Sequence, residues 1–582
     1  MEAGSSTLEY PWKFREFCRY LERQMSFFSG FLAANSTQQR RRISGLFLVL
    51  TFGFGLIQVW ACRYELSPDS MDYLDIAREV AAGHWAAVAN GYWGTLNSVL
   101  LAPLFRFHPS PERELLLAHS EGIVVSLFAF FAFRFFLNSV LDTISLHTDA
   151  GKGVESGSLP EWSLCLLGYS LFLWSSLTII GVAIIGNDLL VTAFVYSAAA
   201  LLLRLRRESG LLSFLAFGSL LGVGYWAKAI MFPISLVFLA VLIFRVPRWK
   251  QNLCCVLAFA VVAAPLLFAL SVPRGRFTFG DSGMLNYSSM VNPGGPVIDW
   301  QGDPIASGVP KHPTRRITVN PSIYEFNGPV QGTYPPSYDP SYWNEGRRAS
   351  FSLFSQLRVL LHHVPPVAEL FLVTQPSLTA GFLFLLFWSS GGFLGGLSRH
   401  WELLTISLSF VALYMLVHFE PRFVGAFVVF IWLSAFLSLR LPANRDSQRI
   451  AGFSIIALVI AMLLSFASDT GKKIVNGCPE STQSQLEMAH QLALPPDTPI
   501  AIVGYGNFSY WAHFAKLRIV ADIRSPDDFW LLPGDQRRRL YDVFRRTGAE
   551  WIIGQPPSTL ANLLDAGWKR VGKTTYYCYS LQ

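Results

Sequence analysis

Charge is scarce in this chain of 582 residues: Asp, Glu, Lys and Arg make up only 15% of it, well below the roughly one quarter typical of soluble domains. No single basic patch exists either. The 46 Lys and Arg exceed the 39 Asp and Glu, for a net charge of +7, but the cations fall in short clusters between apolar runs. A nucleic-acid partner is therefore not expected. A secretory signal peptide is also missing, because the 42 residues before the first apolar run are polar and no small-residue cleavage site follows it. Ile43 to Cys62 reads instead as an uncleaved anchor. There is no internal repeat of the kind many transporters carry. The only glycine cluster in the C-terminal part, "GYG" (504–506), is too short for a dinucleotide fingerprint.

Apolar residues dominate instead, at 52%. Runs close to the roughly 20 residues needed to cross a bilayer predict eleven spans, near 43–62, 115–137, 162–185, 188–204, 211–228, 229–245, 251–271, 378–397, 402–418, 423–440 and 450–467. The fold class expected is a polytopic α-helical membrane protein with surface helices in the first outer loop and a small C-terminal α/β domain. The cation clusters "RRR" (40–42), "RLRR" (204–207), "RVPRWK" (245–250), "SRH" (398–400) and "LRLPANRDSQR" (439–449) then share one side, which the positive-inside rule makes cytoplasmic. Lys228, where two short spans meet at "YWAK", falls on the outer side, with "GND" (186–188), "HFEPRF" (418–423) and the C-terminal part. The chain divides into a cytoplasmic segment (1–42), a first membrane module (43–271) with outer loop 63–114, a Pro/Gly-rich outer loop (272–350), further membrane helices (351–467) and an extracytoplasmic α/β domain (468–582).

The first outer loop opens with "SPDSMDYLDIAREVAAGHW" (67–85). Ser67 suits an N-cap, Pro68 the first helical position and Gly83 the stop. Tyr73, Leu74, Ile76, Ala77, Val80 and Ala81 form an apolar stripe, as expected of a helix lying on the membrane surface. Asp69 falls in the first turn, where the helix dipole favours its ionised form. A carboxylate there can accept a proton, hold a divalent metal or serve as a capping residue. Asp72 and Asp75 suit the structural role, Asp75 by pairing with Arg78 one turn on. Asp188, nearly between two spans, is costly to place there and so marks a candidate site. Lys228 and Arg422, predicted near the same plane, could hold the phosphate of an anionic lipid headgroup.

These stretches resemble the clan C integral-membrane glycosyltransferases, the group of the protein O-mannosyltransferases and bacterial aminoarabinose transferases. The resemblance covers about residues 43–467 and rests on "DSMDYLDIAREVAAGHW", "NGYWGTLNSVLLAPLF", "NDLLVTAFVY", "YWAKA" and "EPRF". It implies a transferase that takes a sugar from a polyprenyl-phosphate donor to a glycan, lipid or protein acceptor. The setting implied is a membrane of bacterial inner-membrane type, with the chemistry on the extracytoplasmic face. Asp69 and Asp188 become the catalytic candidates, as a base or as ligands of a divalent cation such as Mg2+ or Mn2+. Lys228, Arg422, Glu420, Tyr73 and Asp72 become the substrate-binding candidates. The chain departs from the family in two places. Ser70 follows Asp69 where relatives often have a second acid, which weakens a two-carboxylate metal site on that loop. "GTLNSVL" stands where the aminoarabinose enzymes carry Lys-Pro-Pro, which argues against that sugar. Topology supports a lipid-linked donor independently, because nucleotide sugars are kept in the cytosol and these carboxylates are predicted to face outward.

The outer loop 272–350 holds eleven prolines and ten glycines, so neither helix nor regular strand is expected to persist in it. Trp300, Tyr324, Tyr334, Tyr338, Tyr342 and Trp343 make it an ordered cover whose rings either stack on sugar or prenyl or anchor in the interfacial belt. The C-terminal part alternates strand and helix patterns: "PIAIVGY", "FSYWAHFAKL", "RIVADI", "DQRRRLYDVFRRTGA", "EWIIGQ", "STLANLLDAGW" and "TTYYCYSL". Cys478 and Cys578, the two cysteines of that soluble part, are expected to form a disulfide. The competing functional readings are a transporter or flippase of a lipid-linked or anionic substrate, and a non-catalytic membrane subunit with a ligand-binding outer domain.

Overall fold

The computed structural model describes residues 36–149, 157–207, 210–292, 300, 315–326, 328, 331–442, 444–478, 481–559 and 567–582. The segment before residue 36, the Pro/Gly-rich stretches 293–299 and 301–314, and most of the helix expected over "STLANLLDAGW" lie outside the described residues.

Helix is found in each of the eleven predicted segments, from Ser36–Ala61 to Arg445–Asn476, but the segment 378–397 is broken between Phe387 and Phe393. Among the described residues, six helices are long and apolar enough to cross a membrane singly: Ser36–Ala61, Pro111–Ile144, Glu161–Ile180, Asp188–Leu205, Trp249–Arg274 and Asp446–Asn476. The over-long apolar run breaks at "YWAK" as expected. Leu211–Ala227 ends on Lys228, whose φ of −160° and ψ of 135° are extended, and Met231–Arg245 follows. One helix was not foreseen. Leu353–Leu372 precedes Pro376–Phe387 and meets it at a bend of 75°. Its Phe354, Leu357 and Leu361 are exposed while Gln356 and His363 are buried, the pattern of an amphipathic helix at an interface.

The bundle is centred on packed aromatic rings: Phe133 stacks on Phe172 and meets Tyr196 edge-on, both at 5.0 Å, and Phe136 lies 4.6 Å from Phe430. Val49, Val261, Leu464 and Phe387 are turned outward and exposed, as side chains facing lipid are. The predicted cation clusters do gather at one end. Arg206, Arg245, Arg399 and Arg440 line one cavity, and Arg40 pairs with Asp142 at 2.6 Å and with Glu161.

The other end carries a seven-stranded sheet with the order β1-β2-β4-β3-β5-β7-β6. Its centre is parallel: β3 (Pro499–Val503) lies between β4 (Arg518–Ile523) and β5 (Trp551–Gly554). β7 (Tyr577–Ser580) and β6 (Lys569–Arg570) continue it antiparallel on one side. On the other side stand β1 (Arg315–Val319) and β2 (Ser322–Glu325), both from the long outer loop, with Tyr324 opposite Asp522. The expectation that no strand persists in that loop is thus overturned. Pairing with β4 supplies the hydrogen bonds and burial that a Pro/Gly-rich segment cannot supply alone. Short helices, Pro335–Tyr338 and Pro340–Trp343, also form there, each opened by proline at a position where its missing N–H costs nothing.

The loop aromatics are core residues of this outer unit. Tyr334, Tyr338, Trp343 and Trp300 are buried, and Tyr334 donates to Asp522 at 2.7 Å. They are not available to stack on a sugar. The helix that opens the first outer loop, Pro68–Ala81, likewise does not lie bare on a membrane surface. Met71, Leu74 and Ala77 pack against Tyr334, Ile500 and Trp511.

The cysteine pairing also differs from expectation. Cys478 is bonded to Cys62, at the end of the first span, with Cα atoms 5.3 Å apart, and Cys578 is free. Cys578 lies on β7 opposite Ile553 and Lys569. Thr482 reinforces the true junction by donating from its backbone N–H to the Tyr64 carbonyl at 2.7 Å. Non-reducing peptide mapping should recover a Cys62–Cys478 peptide and a Cys578 that alkylates without reduction; a Cys478–Cys578 peptide would contradict the arrangement.

Candidate functional site

Asp69 is positioned by a helix start that was legible in the sequence. The Ser67 hydroxyl accepts from the Ser70 N–H at 3.2 Å, Pro68 opens the helix, and Asp69 sits in the first turn. Ser70 anchors that turn by donating to the Ile185 carbonyl at 2.9 Å. This brings the turn beside the segment leading to Asp188. The two share a cavity of about 320 Å3 lined by Asp69, Ser70, Ile184, Glu420 and Arg422.

Asp188 begins the helix Asp188–Leu205. Its neighbour Asn187 ties it to "GYWGTLN", donating to the Gly94 carbonyl at 2.6 Å and accepting from the Asn97 N–H at 3.2 Å. Gly94 must be glycine here, since a Cβ would overlap the Ala227 carbonyl oxygen. That close approach sets the extended corner at Lys228 against the "GND" turn. Lys228 Nζ then reaches Asp188 Oδ1 at 2.5 Å and lies 3.8 Å over the Phe423 ring.

Arg422 joins the two halves. Its guanidinium is 2.8 Å from Asp69 Oδ2, 2.5 Å from Glu420 Oε2 and 3.8 Å from Asp188 Oδ2. His418 approaches the other Glu420 oxygen at 2.9 Å. Burial pushes the Glu420 carboxyl up, but the His418 hydrogen bond and the Arg422 charge outweigh it and hold its pKa at about 2. Three carboxylates and two fixed cations thus meet at one end of the bundle, reached from four separate stretches of chain.

The predicted residues divide clearly. Asp69, Asp188, Lys228, Arg422 and Glu420 come together. Tyr73 lies behind them, buried, packing on Trp93 at 5.5 Å and against Gly186. Asp72 does not line the cavity: it is fully buried, hydrogen-bonded to the Ser337 hydroxyl at 2.5 Å, and burial raises its pKa well above the usual carboxylate range. It ties the helix to the outer loop. Phe423 and His418 were inside "HFEPRF" but were not singled out. The aromatic beside the arginine was the available signal, since cations favour ring faces.

A divalent cation shared by Asp69 and Asp188 does not fit this arrangement. The guanidinium of Arg422 lies between the two carboxylates, and each is already ion-paired. Among the described residues, the one convergent group of metal-ligand atoms is Cys62, Glu65 and Cys478, and two of those are joined in the disulfide.

No protein-family model matches the chain, and no curated protein matches it by sequence. Solved structures do match. ArnT from Cupriavidus metallidurans, crystallised bound to undecaprenyl phosphate, superposes with a TM-score of 0.52 at 11% identity, covering 92% of this chain and 97% of that one. The same protein in the apo state gives a TM-score of 0.50 at 12% identity with the same coverage. The Archaeoglobus fulgidus oligosaccharyltransferase, in complex with Zn and sulfate, gives 0.44 at 11% identity, covering 88% of this chain and 68% of that one. The chain shares its overall fold with ArnT from Cupriavidus metallidurans.

Proposed function

We propose that this protein is a membrane glycosyltransferase that moves a sugar from a polyprenyl-phosphate donor to a lipid, glycan or protein acceptor on the extracytoplasmic face. The observation that carries the reading is the cavity where Asp69 and Arg422 face each other at 2.8 Å beside the Lys228–Asp188 pair. A carboxylate beside fixed cations is what transfer from a phosphate-linked sugar requires. The fold supports it, as does the undecaprenyl phosphate bound to ArnT. The arginine-lined end of the bundle is assigned to the cytoplasm by the positive-inside rule, which puts Asp69 and the sheet outside.

In this reading the acceptor's hydroxyl or amine attacks the anomeric carbon and passes its proton to Asp69. The bond between that carbon and the phosphate oxygen breaks, and the electron pair leaves on polyprenyl phosphate. Lys228 and Arg422 are placed to neutralise the phosphate as its charge grows. Asp188 orients Lys228, and Glu420 with His418 orients Arg422.

Incubating the purified full chain with a panel of labelled polyprenyl-phosphate hexoses and pentoses should give acceptor-dependent release of polyprenyl phosphate for one of them. Donors that bind tightly yet are never cleaved would favour a transporter or flippase.

A further inference from the structure

Leu353–Leu372 is amphipathic in the reverse sense of a soluble helix. Phe354, Leu357, Leu361 and Val364 are exposed, whereas Gln356 and His363, two turns apart, are each only 7% exposed. Apolar side chains outside and polar ones turned to the bundle suit an element that faces lipid. Polar groups buried in this way need hydrogen-bond partners, and these two find adjacent carbonyls. Gln356 Nε2 donates to the Leu416 carbonyl at 2.8 Å, and His363 Nδ1 stands 2.8 Å from the Met415 carbonyl. A carbonyl only accepts, so Nδ1 carries the hydrogen. The Tyr287 hydroxyl donates to Gln356 Oε1 at 3.0 Å and so fixes which way the amide faces.

Met415 and Leu416 close the helix Trp401–Met415, at the end where a helix's own carbonyls lack partners within it. From there the contact passes to the site through two rings. Tyr414, in the last turn of that helix, stacks on Phe423 at 4.8 Å. Phe423 in turn lies under both cations, with Lys228 Nζ 3.8 Å and the Arg422 guanidinium carbon 5.1 Å from its ring centre. One turn further down, Phe410 stacks on Phe427 at 3.9 Å, so the helix end and the cation-bearing turn are held as one piece. A displacement of about 1 Å at such a site can cost on the order of a hundred-fold in rate.

We infer, on the reading of Lys228 and Arg422 as the pair that holds the lipid phosphate, that Gln356 and His363 are the positioning residues that set this pair. Neither touches the reacting groups. They fix the end of Trp401–Met415, and through Tyr414 the ring of Phe423 on which both cations rest.

The test compares binding of undecaprenyl phosphate and of undecaprenol, the same chain without the phosphate, to the detergent-purified full chain. Gln356→Met with His363→Leu removes the hydrogen bonds and keeps apolar bulk. This double variant should bind the phosphate roughly ten-fold to thirty-fold more weakly, the scale of two hydrogen bonds, and the alcohol as the wild type does. Adding Arg422→Gln to it should cost little more, because residues acting through one group are not additive. Should the double variant fold poorly, single variants decide: His363→Leu should weaken phosphate binding a few-fold, and His363→Asn, which can place an amide N–H where Nδ1 stands, should restore it. Equal loss of phosphate and alcohol would overturn the inference, since a general packing defect acts on both. Unchanged phosphate binding in these variants, with Arg422→Gln still impaired, would overturn it and leave the proposed function standing. Unchanged phosphate binding by Arg422→Gln itself would overturn the role of Arg422 and the inference together.

Discussion

Asp69→Asn is expected to lower the rate of sugar transfer by roughly a hundred-fold to ten-thousand-fold, the usual cost of losing a positioned base, while leaving the protein folded. The substitution keeps size and an oxygen that can accept from Arg422, and removes only the charge. The Asp69 side chain is 37% exposed, and ion pairs with that much solvent contact contribute only about 0–1 kcal/mol to stability. A large loss of rate therefore cannot be an unfolding effect in disguise. Measuring donor binding separates the roles further: Asp69→Asn should still bind polyprenyl phosphate, whereas Arg422→Gln should lose it. Near wild-type transfer by folded Asp69→Asn would leave Asp69 as a helix-start residue that merely orients Arg422.

The second large effect is structural and centres on His513. Its ring is buried between two acids, with Nδ1 2.7 Å from Asp75 and Nε2 3.0 Å from Glu114, both nearly inaccessible. Arg78 joins Glu114 at 2.7 Å, and Thr333 donates its N–H to Asp75 at 2.6 Å. Three separate parts of the chain, the first outer loop, the long loop and the α/β unit, are held by this one cluster. His513→Ala leaves Glu114 with Arg78 as its remaining charged partner and Asp75 with Thr333 and a longer contact to Arg78, and breaking a buried charged group in this way costs about 3–5 kcal/mol. Amide exchange over residues 68–81 and 510–523 should accelerate roughly a hundred-fold to a few thousand-fold, the same range expressed as an equilibrium. Unchanged exchange would show that the apolar contacts of Leu74 and Trp511 suffice.

The same cluster sets a pH dependence. Burial and Arg78 both disfavour a charged His513, but the charge and hydrogen bond of Asp75, with the hydrogen bond to Glu114, outweigh them and raise its pKa. A raised histidine pKa stabilises fully below its ordinary value of about 6.5, and the contribution disappears as pH climbs through the folded value. Asp75 runs the other way: despite burial, His513 and Arg78 hold its pKa below the usual value, so its contribution is lost toward acid. Docking of the outer unit should accordingly be firmest in mildly acidic medium and loosen in alkali.

Periodic features were legible from sequence alone. The helix start at Ser67, the break at Lys228, the strands of "PIAIVGY", "RIVADI" and "EWIIGQ", and the meeting of Asp69, Asp188, Lys228 and Arg422 all follow from local patterns or from which end of a span a residue occupies. Long-range pairing was not legible. The partner of Cys478 lies 416 residues away, and Asp75 and His513 are separated by 438, with no periodicity linking them. The strands at 315–319 and 322–325 were hidden for a related reason: their stability comes from the β4 edge and not from their own composition. Asp72 was expected at the site through the family resemblance, yet its carboxylate is buried and accepts from the Ser337 hydroxyl.

The shared sheet decides what can be cut from this protein. A fragment beginning at residue 468 looks like a self-sufficient soluble piece, suitable for separate expression. It would lack β1 and β2, leaving the flank of β4 unpaired along Ala521 and Asp522, and it would lack Cys62, leaving Cys478 as a lone thiol. An open strand edge is a template for pairing with other chains, so the excised piece should aggregate. A fragment that keeps residues 315–326 joined to the C-terminal part should aggregate less, because the β4 edge is then paired.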